Sequence, residues 1–309
     1  MKNPAPIIAL ADCNNFYVSC GMVFAFDLAD RPVVVLSNND GCVIARSSEA
    51  KAIPIAMGQP FFQCEDLLRR RNGRVFSANF TLYADMSRRV METLARFTPT
   101  LEVYSIDEAF LALDGPKPAD PVAAARRIRS VVRRDTGIPV SIGLAPTRVL
   151  AKLANKRAKK DPAADGVLSL LDAGPRDAAL AETDVDDLWG IGARLAERLR
   201  AHGIRTALQL REMPDDWLRR HLSVTGLRIA WELRGISCIE TDDIAAPRQH
   251  AIICSRSFGQ TVETLDALKQ ALAVFASRAA EKLRRQASLA GLVLVSVRTP
   301  LFDPRYPSY

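Results

Sequence analysis

Short apolar segments alternate with amphipathic helical segments over the first half of the chain, and this alternation constrains the fold more than any other feature. Residues 7–13 form an apolar run that ends near a carboxylate, as expected of a buried strand. Residues 83–97 have the spacing of an amphipathic helix. Similar patterns follow: strand-like halves in 101–113, a helix over 121–135, a strand over 139–145 and a helix over 147–160. The alternation predicts a sheet that helices cover on one side.

The remaining segments of the sequence predict an insertion, a helical region, a linker and a C-terminal region. Residues 41–80 are of mixed character, with Pro and Gly breakers, and are interpreted as a small helical insertion. From residue 165 to about 235 the pattern is wholly helical, which places a boundary near residue 165. Residues 236–249 lack periodicity and are interpreted as a linker. The last part carries three predicted elements, namely a strand over 250–262, a helix over 265–286 and a strand over 289–299.

Length and composition exclude several classes of protein. The 309 residues leave room for two or three domains, and 48% hydrophobic with 25% charged residues is ordinary for a globular chain. The longest apolar runs fall far short of the ~20 residues that a membrane-spanning helix needs. The first residues carry no signal-peptide pattern, so a cytoplasmic location without a membrane partner is expected.

The positive charge is concentrated in one region. The chain has a net charge of +7, and residues 126–160 contain eleven basic residues against one acidic residue. Lys152, Lys156 and Lys159 follow helical spacing, which places them on one face of a helix. A basic run is often only a solvated surface, but this regular spacing favours a polyanion partner such as nucleic acid or a nucleotide phosphate.

Three carboxylates stand near the ends of predicted strands. Asp12 follows the first apolar run, and Asp107 with Glu108 divides the segment 101–113. Carboxylate oxygens suit Mg²⁺, and two such ions can stabilise an in-line phosphoryl transfer. Because neighbouring strand residues face opposite ways, Asp107 and Glu108 can share a site only at a turn or a strand terminus. Taken alone, an acidic pair is weak evidence, and solvated turn residues are the favoured interpretation.

A turn of the form Gly-hydrophobe-Gly lies between two helical patterns. Gly190, Ile191 and Gly192 form this turn, and residues 193–199 begin the second helix. A helix-hairpin-helix of this form presents backbone N–H groups to a DNA phosphate. A glycine cap in a simple helical hairpin has a similar sequence, so both interpretations stay open on this feature alone.

Several motifs together resemble the Y-family translesion DNA polymerases, most closely the UmuC branch. They occur in the family's order between about residues 7 and 302, and the most specific are the segment 104–110 and the spaced hairpin. The motifs are Asp12-x-Asn14-x-Phe16-Tyr17, NNDGCVIARS (38–47), YADMS (83–87), YSIDEAF (104–110), VDDLWGIG (185–192) and CSRSFG (254–259).

The resemblance implies roles for single residues. Asp12, Asp107 and Glu108 match the ligands of two Mg²⁺ ions, with Asp107 and Glu108 as catalytic carboxylates, and the carbonyl of Cys13 also faces a metal. Three further matches are Tyr17 as the steric gate that excludes a 2′-hydroxyl, and Lys51 and Lys159 as triphosphate ligands. Ser48 and Asn14 depart from residues common elsewhere in the family, which leaves the contacts of the fingers to the triphosphate less defined.

The resemblance also implies a right-hand architecture of the α+β class. It consists of a ferredoxin-like palm, small fingers, a helical thumb with the helix-hairpin-helix, and a C-terminally incomplete little finger. The expected limits are palm 1–15 and 82–165, fingers 16–81, thumb 166–235, linker 236–249 and partial little finger 250–309. A sheet with only two strands and one helix buries little apolar surface, so this last part is expected to be marginally stable.

The expected activity is that of a DNA-directed DNA polymerase, a nucleotidyltransferase that copies damaged templates in error-prone SOS repair. Its partners would be primer-template DNA and a deoxynucleoside triphosphate. The UmuC branch further implies a processed UmuD dimer and a RecA filament, and the clamp-binding motif of relatives is not found. Two alternatives are a catalytically inactive scaffold of the same family, which would lack the acidic triad, and a nucleotide cyclase, which has no use for the hairpin.

Overall fold

The computed structural model describes residues 6–113, 120–239, 250–256 and 258–299. The chain divides into two compact units, residues 1–245 and residues 246–309, and each is described by itself. No helix among the described residues is both long and apolar enough to cross a membrane.

The first unit contains a five-stranded sheet in the order β5-β6-β1-β7-β8 and a three-stranded sheet in the order β3-β2-β4. In the larger sheet, β1 is central and pairs antiparallel with both β6 and β7, whereas β8 pairs parallel with β7. The strands are β1 (Ile8–Cys13), β2 (Val33–Leu36), β3 (Val43–Arg46), β4 (Arg74–Ser77), β5 (Leu101–Val103), β6 (Glu108–Ala112), β7 (Val140–Ala145) and β8 (Val167–Ser169).

Helices connect these strands and complete the first unit. They are α1 (Phe16–Met22), α2 (Ser48–Lys51), α3 (Glu65–Arg70), α4 (Phe80–Leu94), α5 (Pro121–Thr136), α6 (Arg148–Lys160), α7 (Ala173–Glu182), α8 (Ala193–Ala201), α9 (Ala207–Glu212), α10 (Asp215–His221) and α11 (Val224–Leu233). The α+β fold class predicted from the sequence is therefore confirmed.

Helices pack on both faces of the larger sheet, so the prediction of cover on one side is wrong. Ala9 and Ala11 of β1 share a core with α4 and α5, whereas Ile8 and Leu10 share a second core with α6 and the helices that follow it. The physical reason lies in β1 itself, because it is apolar on both faces and all four residues are buried. A strand of this kind needs cover on both sides.

Helix α6 lies unusually close to the sheet at Gly143 of β7. A Cβ atom built at Gly143 would lie 2.2 Å from the backbone nitrogen of Asn155 and 2.3 Å from the carbonyl oxygen of Ala151. The buried Asn155 amide donates hydrogen bonds to the carbonyls of Leu10 (3.2 Å) and Ser141 (2.7 Å). The absent side chain at Gly143 and the amide of Asn155 together fix the position of α6 over β1 and β7.

Two predictions for the smaller elements are also wrong. Residues 41–80 are not simply helical, because β3 and β4 pair with β2. These two strands have four residues each, and most of their residues are not buried, so they leave little periodic signal. Residues 166–235 are not wholly helical either, because β8 extends the larger sheet.

Glu232 of α11 is completely buried and accepts hydrogen bonds from three backbone N–H groups. One carboxylate oxygen accepts from Val149 (3.2 Å), and the other accepts from Cys238 (2.8 Å) and Ile239 (3.2 Å). The Thr147 hydroxyl donates to the Glu232 carbonyl (2.9 Å). These bonds attach the start of α6 to the end of α11.

Replacing Glu232 with glutamine is expected to lower the free energy of unfolding by about 3 kcal/mol, because an NH₂ group would then face backbone donors in a buried site. Urea denaturation of the full chain measures the change. Glu197→Gln is the matched control, since Glu197 is exposed and should be neutral within about 0.5 kcal/mol. A Glu232→Gln protein as stable as the wild type would contradict this role.

The second unit contains one long helix, α12 (Leu265–Arg285), which agrees with the predicted helix over 265–286. Thr264 caps its first turn by accepting a hydrogen bond from the N–H of Ala267, and no residue of α12 is buried. The strands predicted over 250–262 and 289–299 are not formed in the described residues of those ranges. Apolar side chains alone predict a strand there, but a strand needs a neighbour for its backbone hydrogen bonds. The predicted linker lies mostly outside the described residues.

Candidate active site

The three candidate carboxylates meet where β1 ends and β6 begins. Asp12 and Glu108 are directly paired across the antiparallel ladder, and the N–H of Cys13 donates to the carbonyl of Asp107 at 2.9 Å. Asp107 lies in the turn before β6 and Glu108 is the first residue of that strand. This is the strand terminus that a shared site for Asp107 and Glu108 requires. Side chains along a strand point alternately to the two faces of the sheet, and Leu10 and Phe110 pack against the side of α6. Asp12 and Glu108, two residues away from them, therefore point to the face that α6 covers.

Ser105 organises the turn that carries Asp107 and Glu108. Its hydroxyl donates to a carboxylate oxygen of Asp107 (2.7 Å) and accepts from the backbone N–H groups of Asp107 (3.3 Å) and Glu108 (3.0 Å). Sequence reasoning assigned no separate role to Ser105. Its position two residues before a carboxylate is the local signal of a serine turn, in which a hydroxyl bonds to nearby backbone groups.

Two lysines of α6 reach the carboxylates. Lys159 Nζ lies 2.5 Å from Asp12 Oδ1, and Lys152 Nζ lies 3.1 Å from Glu108 Oε2. Seven residues correspond to nearly two helical turns, so both ammonium groups extend from one face of α6. The approach of α6 at Gly143 brings this face to the sheet.

Burial and neighbouring charges raise the pKa of Asp12 to about 6. Desolvation is the largest cause, and the charges of Glu108 and Asp107 act in the same direction, whereas the Lys159 ammonium lowers the pKa. The raised pKa therefore reflects mainly the burial of the Asp12 carboxylate at this edge of the sheet. A cation placed among these carboxylates would favour their ionised forms.

The residues at this edge fit a divalent metal by the chemistry of their donors. Carboxylate and carbonyl oxygens are the ligands that hard cations prefer, and Asp12, Asp107, Glu108 and the carbonyl of Cys13 supply them. Across the described part of the chain, no three His, Cys, Asp or Glu side chains already form a metal-binding group. Lysine ammonium groups instead neutralise Asp12 and Glu108.

Tyr17 lies in α1 within an aromatic cluster. Its ring stacks on that of Tyr83 at 4.3 Å between ring centres, and the edge of Phe80 meets it at 6.1 Å. The pKa of the Tyr17 hydroxyl is raised by burial first and then by the charge of Asp107. The ring is thus held by its neighbours in a position where the charge of the Asp107 carboxylate affects it. Sequence reasoning did not assign the supporting roles of Tyr83 and Phe80.

Lys51 lies in a second region of positive charge. Its Nζ donates to the side-chain oxygen of Asn15 at 2.6 Å, and Asn15 in turn donates to Ser48. The pKa of Lys51 is lowered by burial first and then by the charges of Arg46 and Lys159. Cations that repel each other in this way attract an anion such as a phosphate. Arg46 is a member of this group that sequence reasoning missed.

The hairpin turn follows the short helical turn Val185–Asp187 and leads into α8. Gly190 has φ +88, a conformation that favours glycine, and a Cβ there would lie 2.8 Å from Ile229. Ile191 is buried, and Gly192 is the N-cap of α8. Lys156 is close to this turn, because its Nζ lies 2.5 Å from the carboxylate of Asp187.

Lys152 does not join Lys156 at the hairpin surface. Its side chain is only 17% exposed and its ammonium group contacts Glu108, so this conformation does not present it to a DNA phosphate. The predicted basic face of α6 is therefore divided between two sites. Lys152 and Lys159 face the carboxylates, and Lys156 faces the hairpin.

The fold is that of the Y-family DNA polymerases. The chain resembles the crystal structure of DinB from Sulfolobus solfataricus, with a TM-score of 0.60 and 24% identity over 74% of this chain and 66% of that one. The insertion ternary complex of Dbh DNA polymerase is similar, with a TM-score of 0.64 and 24% identity over 74% of this chain and 67% of that one.

Comparisons of the sequence with known proteins identify the family within this fold class. Models of the impB/mucB/samB family match residues 11–156 and, for its C-terminal domain, residues 249–308, and the HHH motif model of the IMS family matches residues 177–204. Protein UmuC of Salmonella typhimurium is 45% identical over 98% of this chain and 72% of that protein. DNA polymerase IV of Moorella thermoacetica is 29% identical over 97% of this chain and 74% of that protein. The chain belongs to the impB/mucB/samB family, and the predicted resemblance to Y-family polymerases of the UmuC branch is confirmed.

Proposed function

We propose that this protein is a DNA-directed DNA polymerase that copies damaged templates. The observation that carries the proposal is the meeting of Asp12, Asp107 and Glu108 at one edge of the sheet, with Lys159 and Lys51 beside them. The carboxylates could bind a metal ion, and the lysine ammonium groups next to them could bind a phosphate. The family relationship supports the same activity, because relatives of this chain are named DNA polymerases.

The cofactor in this proposal is a pair of Mg²⁺ ions. Asp12, Asp107, Glu108 and the carbonyl of Cys13 would hold them, and Asp107 and Glu108 are the proposed catalytic carboxylates. When bound, the ions would neutralise charge on the reacting phosphate and polarise it. The support from this structure is the set of oxygen donors at the edge where β1 ends and β6 begins.

The remaining residues bind and orient the reactants. Lys51 and Lys159 would hold the triphosphate, which requires the Lys159 ammonium to leave Asp12 for a phosphate oxygen. Its side chain is 34% exposed, so this movement needs no change in the core. The primer 3′-oxygen then attacks the α-phosphate and pyrophosphate leaves. Most of the catalysis is positioning and electrostatic stabilisation.

The right-hand division of the chain is part of this proposal. The larger sheet with α4, α5 and α6 would be the palm, and β8 extends it past the expected limit at residue 165. Residues 16–81, which hold the smaller sheet, would be the fingers, and α7 to α11 with Gly190, Ile191 and Gly192 would form the DNA-binding thumb. Residues 250–309 would belong to the little finger.

Primer extension on undamaged and abasic templates tests the activity directly. We expect extension on both, and we propose that a processed UmuD dimer and a RecA filament increase it, because the UmuC branch implies these partners. A folded protein that extends neither template, with or without the partners, would favour a non-catalytic scaffold. Retention of all three carboxylates argues against the scaffold, and the hairpin argues against a nucleotide cyclase.

Tyr17 is expected to control the choice of sugar. Replacing Tyr17 with alanine should weaken discrimination against ribonucleotides by about a hundredfold, because an aromatic ring beside C2′ leaves no space for a hydroxyl group. The measurement compares kcat/KM for a dNTP and the matching rNTP. Tyr17→Phe is the matched control, since it keeps the ring and should retain discrimination. Unchanged discrimination in the alanine variant would make Tyr17 a packing residue for Tyr83.

Lys156 is expected to contact a DNA phosphate beside the hairpin. Replacing it with alanine should weaken binding about equally for all sequences and reduce the salt slope of binding by about 0.9. Fluorescence anisotropy with duplex DNA at several salt concentrations gives the slope. Arg88→Ala is a suitable control, because Arg88 is also an ion-paired surface cation but lies on α4. A slope equal to that of the wild type would mean that Lys156 only pairs with Asp187.

A further inference from the structure

Lys152 is held between aromatic rings as well as by Glu108. Its ammonium nitrogen lies 4.1 Å from the ring centre of Tyr104 and 5.2 Å from that of Trp189. A cation at these distances is attracted to the face of an aromatic ring, and the attraction grows when water is excluded. The side chains of Lys152 and Glu108 are only 17% and 18% exposed. Together, Glu108, Lys152, Tyr104 and Trp189 are called here the lysine cage.

Trp189 joins the lysine cage from the hairpin side. Its indole N–H donates to the hydroxyl oxygen of Tyr104 at 3.1 Å, and the two rings meet edge to face at 5.6 Å. Phe110 lies 6.3 Å from the Trp189 ring and 5.9 Å from the Tyr104 ring. Tyr104 and Phe110 are on either side of Glu108 in one segment, and Trp189 immediately precedes Gly190. The rings therefore connect the hairpin to the segment that carries the carboxylate.

Lys152 and Lys159 differ in their freedom to move. Lys159 is about twice as exposed as Lys152, which suits a residue that transfers to a phosphate. A lysine side chain is flexible, and its ammonium group normally prefers water. At Lys152 the two rings and the carboxylate replace that water. Lys152 is thus suited to holding one oxygen of Glu108 in place rather than to binding DNA.

We propose that Trp189 and Lys152 are positioning residues for Glu108. The ring of Trp189 and that of Tyr104 fix the Lys152 ammonium, which fixes Oε2 of Glu108, so the geometry of the carboxylate depends on the hairpin. The inference rests on the proposed function, in which Glu108 is a metal ligand. Mutation of a group that orients a metal ligand through a hydrogen bond typically lowers metal affinity by about ten- to a hundredfold.

The test measures metal binding without chemistry. Mn²⁺ serves as the probe ion, and electron paramagnetic resonance measures its binding to the full chain with primer-template and dNTP, using a primer that ends in a dideoxynucleotide. Trp189→Leu and Lys152→Met should each raise the Mn²⁺ concentration at half-saturation by about tenfold. Lys152→Arg keeps the cation and should restore most of the affinity. Trp231→Phe is the matched control, because Trp231 bonds to Asp215 outside the lysine cage.

If Trp189→Leu or Lys152→Met disturbs folding, the milder variants Trp189→Phe and Tyr104→Phe test the same contact. Each removes one partner of the same hydrogen bond, so each should weaken Mn²⁺ binding by a similar factor, about two- to fourfold, and the double variant should be no worse than either. The affinity for DNA is measured separately. A purely structural role of Trp189 in the hairpin would change DNA affinity and leave Mn²⁺ binding at saturating DNA unchanged.

Two results would overturn the inference. The first is unchanged Mn²⁺ binding in both Trp189→Leu and Lys152→Met. The second is tighter Mn²⁺ binding in Lys152→Met, which would make the lysine a competitor of the metal rather than a support for its ligand. Failure of the wild type to extend primers would count against the proposed function instead, since the Mn²⁺ titration is independent of extension.

Discussion

Replacing Asp107 with alanine is expected to lower the rate of primer extension by about a thousandfold or more, because the ions that would stabilise charge on the transferred phosphate would lose a proposed ligand. Asp107 lies in the turn immediately before Glu108, and its carboxylate accepts a hydrogen bond from the Ser105 hydroxyl. Single-turnover extension of a labelled primer measures the rate. Asp107→Asn, which keeps the size of the side chain but not its charge, should be nearly as slow.

The control for this experiment is Asp66→Ala, since Asp66 is an exposed carboxylate on α3 that pairs only with a surface arginine in the described structure. It should extend primers at the wild-type rate. A folded Asp107→Ala protein with near-normal extension would refute the two-metal mechanism. The carboxylates would then be solvated turn residues, which is the alternative that the acidic pair alone left open.

Replacing Gly143 with alanine is expected to have the largest effect on stability, about 4 kcal/mol in the free energy of unfolding. The new Cβ would lie 2.2 Å and 2.3 Å from backbone atoms of α6, which cannot rotate away as a side chain can. Helix α6 would have to move off the sheet, and the hydrogen bonds of Asn155 would be strained. Urea denaturation followed by circular dichroism measures the loss.

Gly174→Ala is the matched control for Gly143. Nothing lies within 4 Å of a Cβ at Gly174, which is inside α7, so alanine there should be neutral or stabilise the protein by up to about 1 kcal/mol. If Gly143→Ala were as stable as the wild type, α6 would be mobile against the sheet. The placement of Lys152 and Lys159 on the carboxylates would then lose its structural basis.

The grouping of the candidate carboxylates at one edge of the sheet was easier to predict from the sequence than the contacts around them. Asp12, Asp107 and Glu108 could be identified because a strand terminus, a turn and a motif are local features that neighbouring residues encode. The roles of Gly143 and Trp189 could not be predicted, because each depends on a tertiary contact that no local sequence pattern encodes. For Gly143 the contact is the crossing of α6, and for Trp189 it is the contact with Tyr104.

The same distinction explains the errors in secondary structure. Helices such as α4 and α12 were predicted to within a few residues, because amphipathic spacing repeats over several turns. β3 and β4 were missed, because strands of four residues contain too few alternations to be recognised. The strands expected over 250–262 and 289–299 were predicted from composition alone, without a partner strand that would satisfy their backbone groups.

The pairing of Asp12 with Glu108 has a consequence for how this protein tolerates change in its sequence. The register of β1 against β6 places the backbones of Asp12 and Glu108 directly opposite each other. Substitutions along these strands leave that register intact if they keep the side chains apolar. A single inserted residue in β1 shifts everything beyond it by one place, so Asp12 turns to the opposite face of the sheet, away from α6. The spacing of residues along two short strands therefore matters to the chemistry as much as their identity.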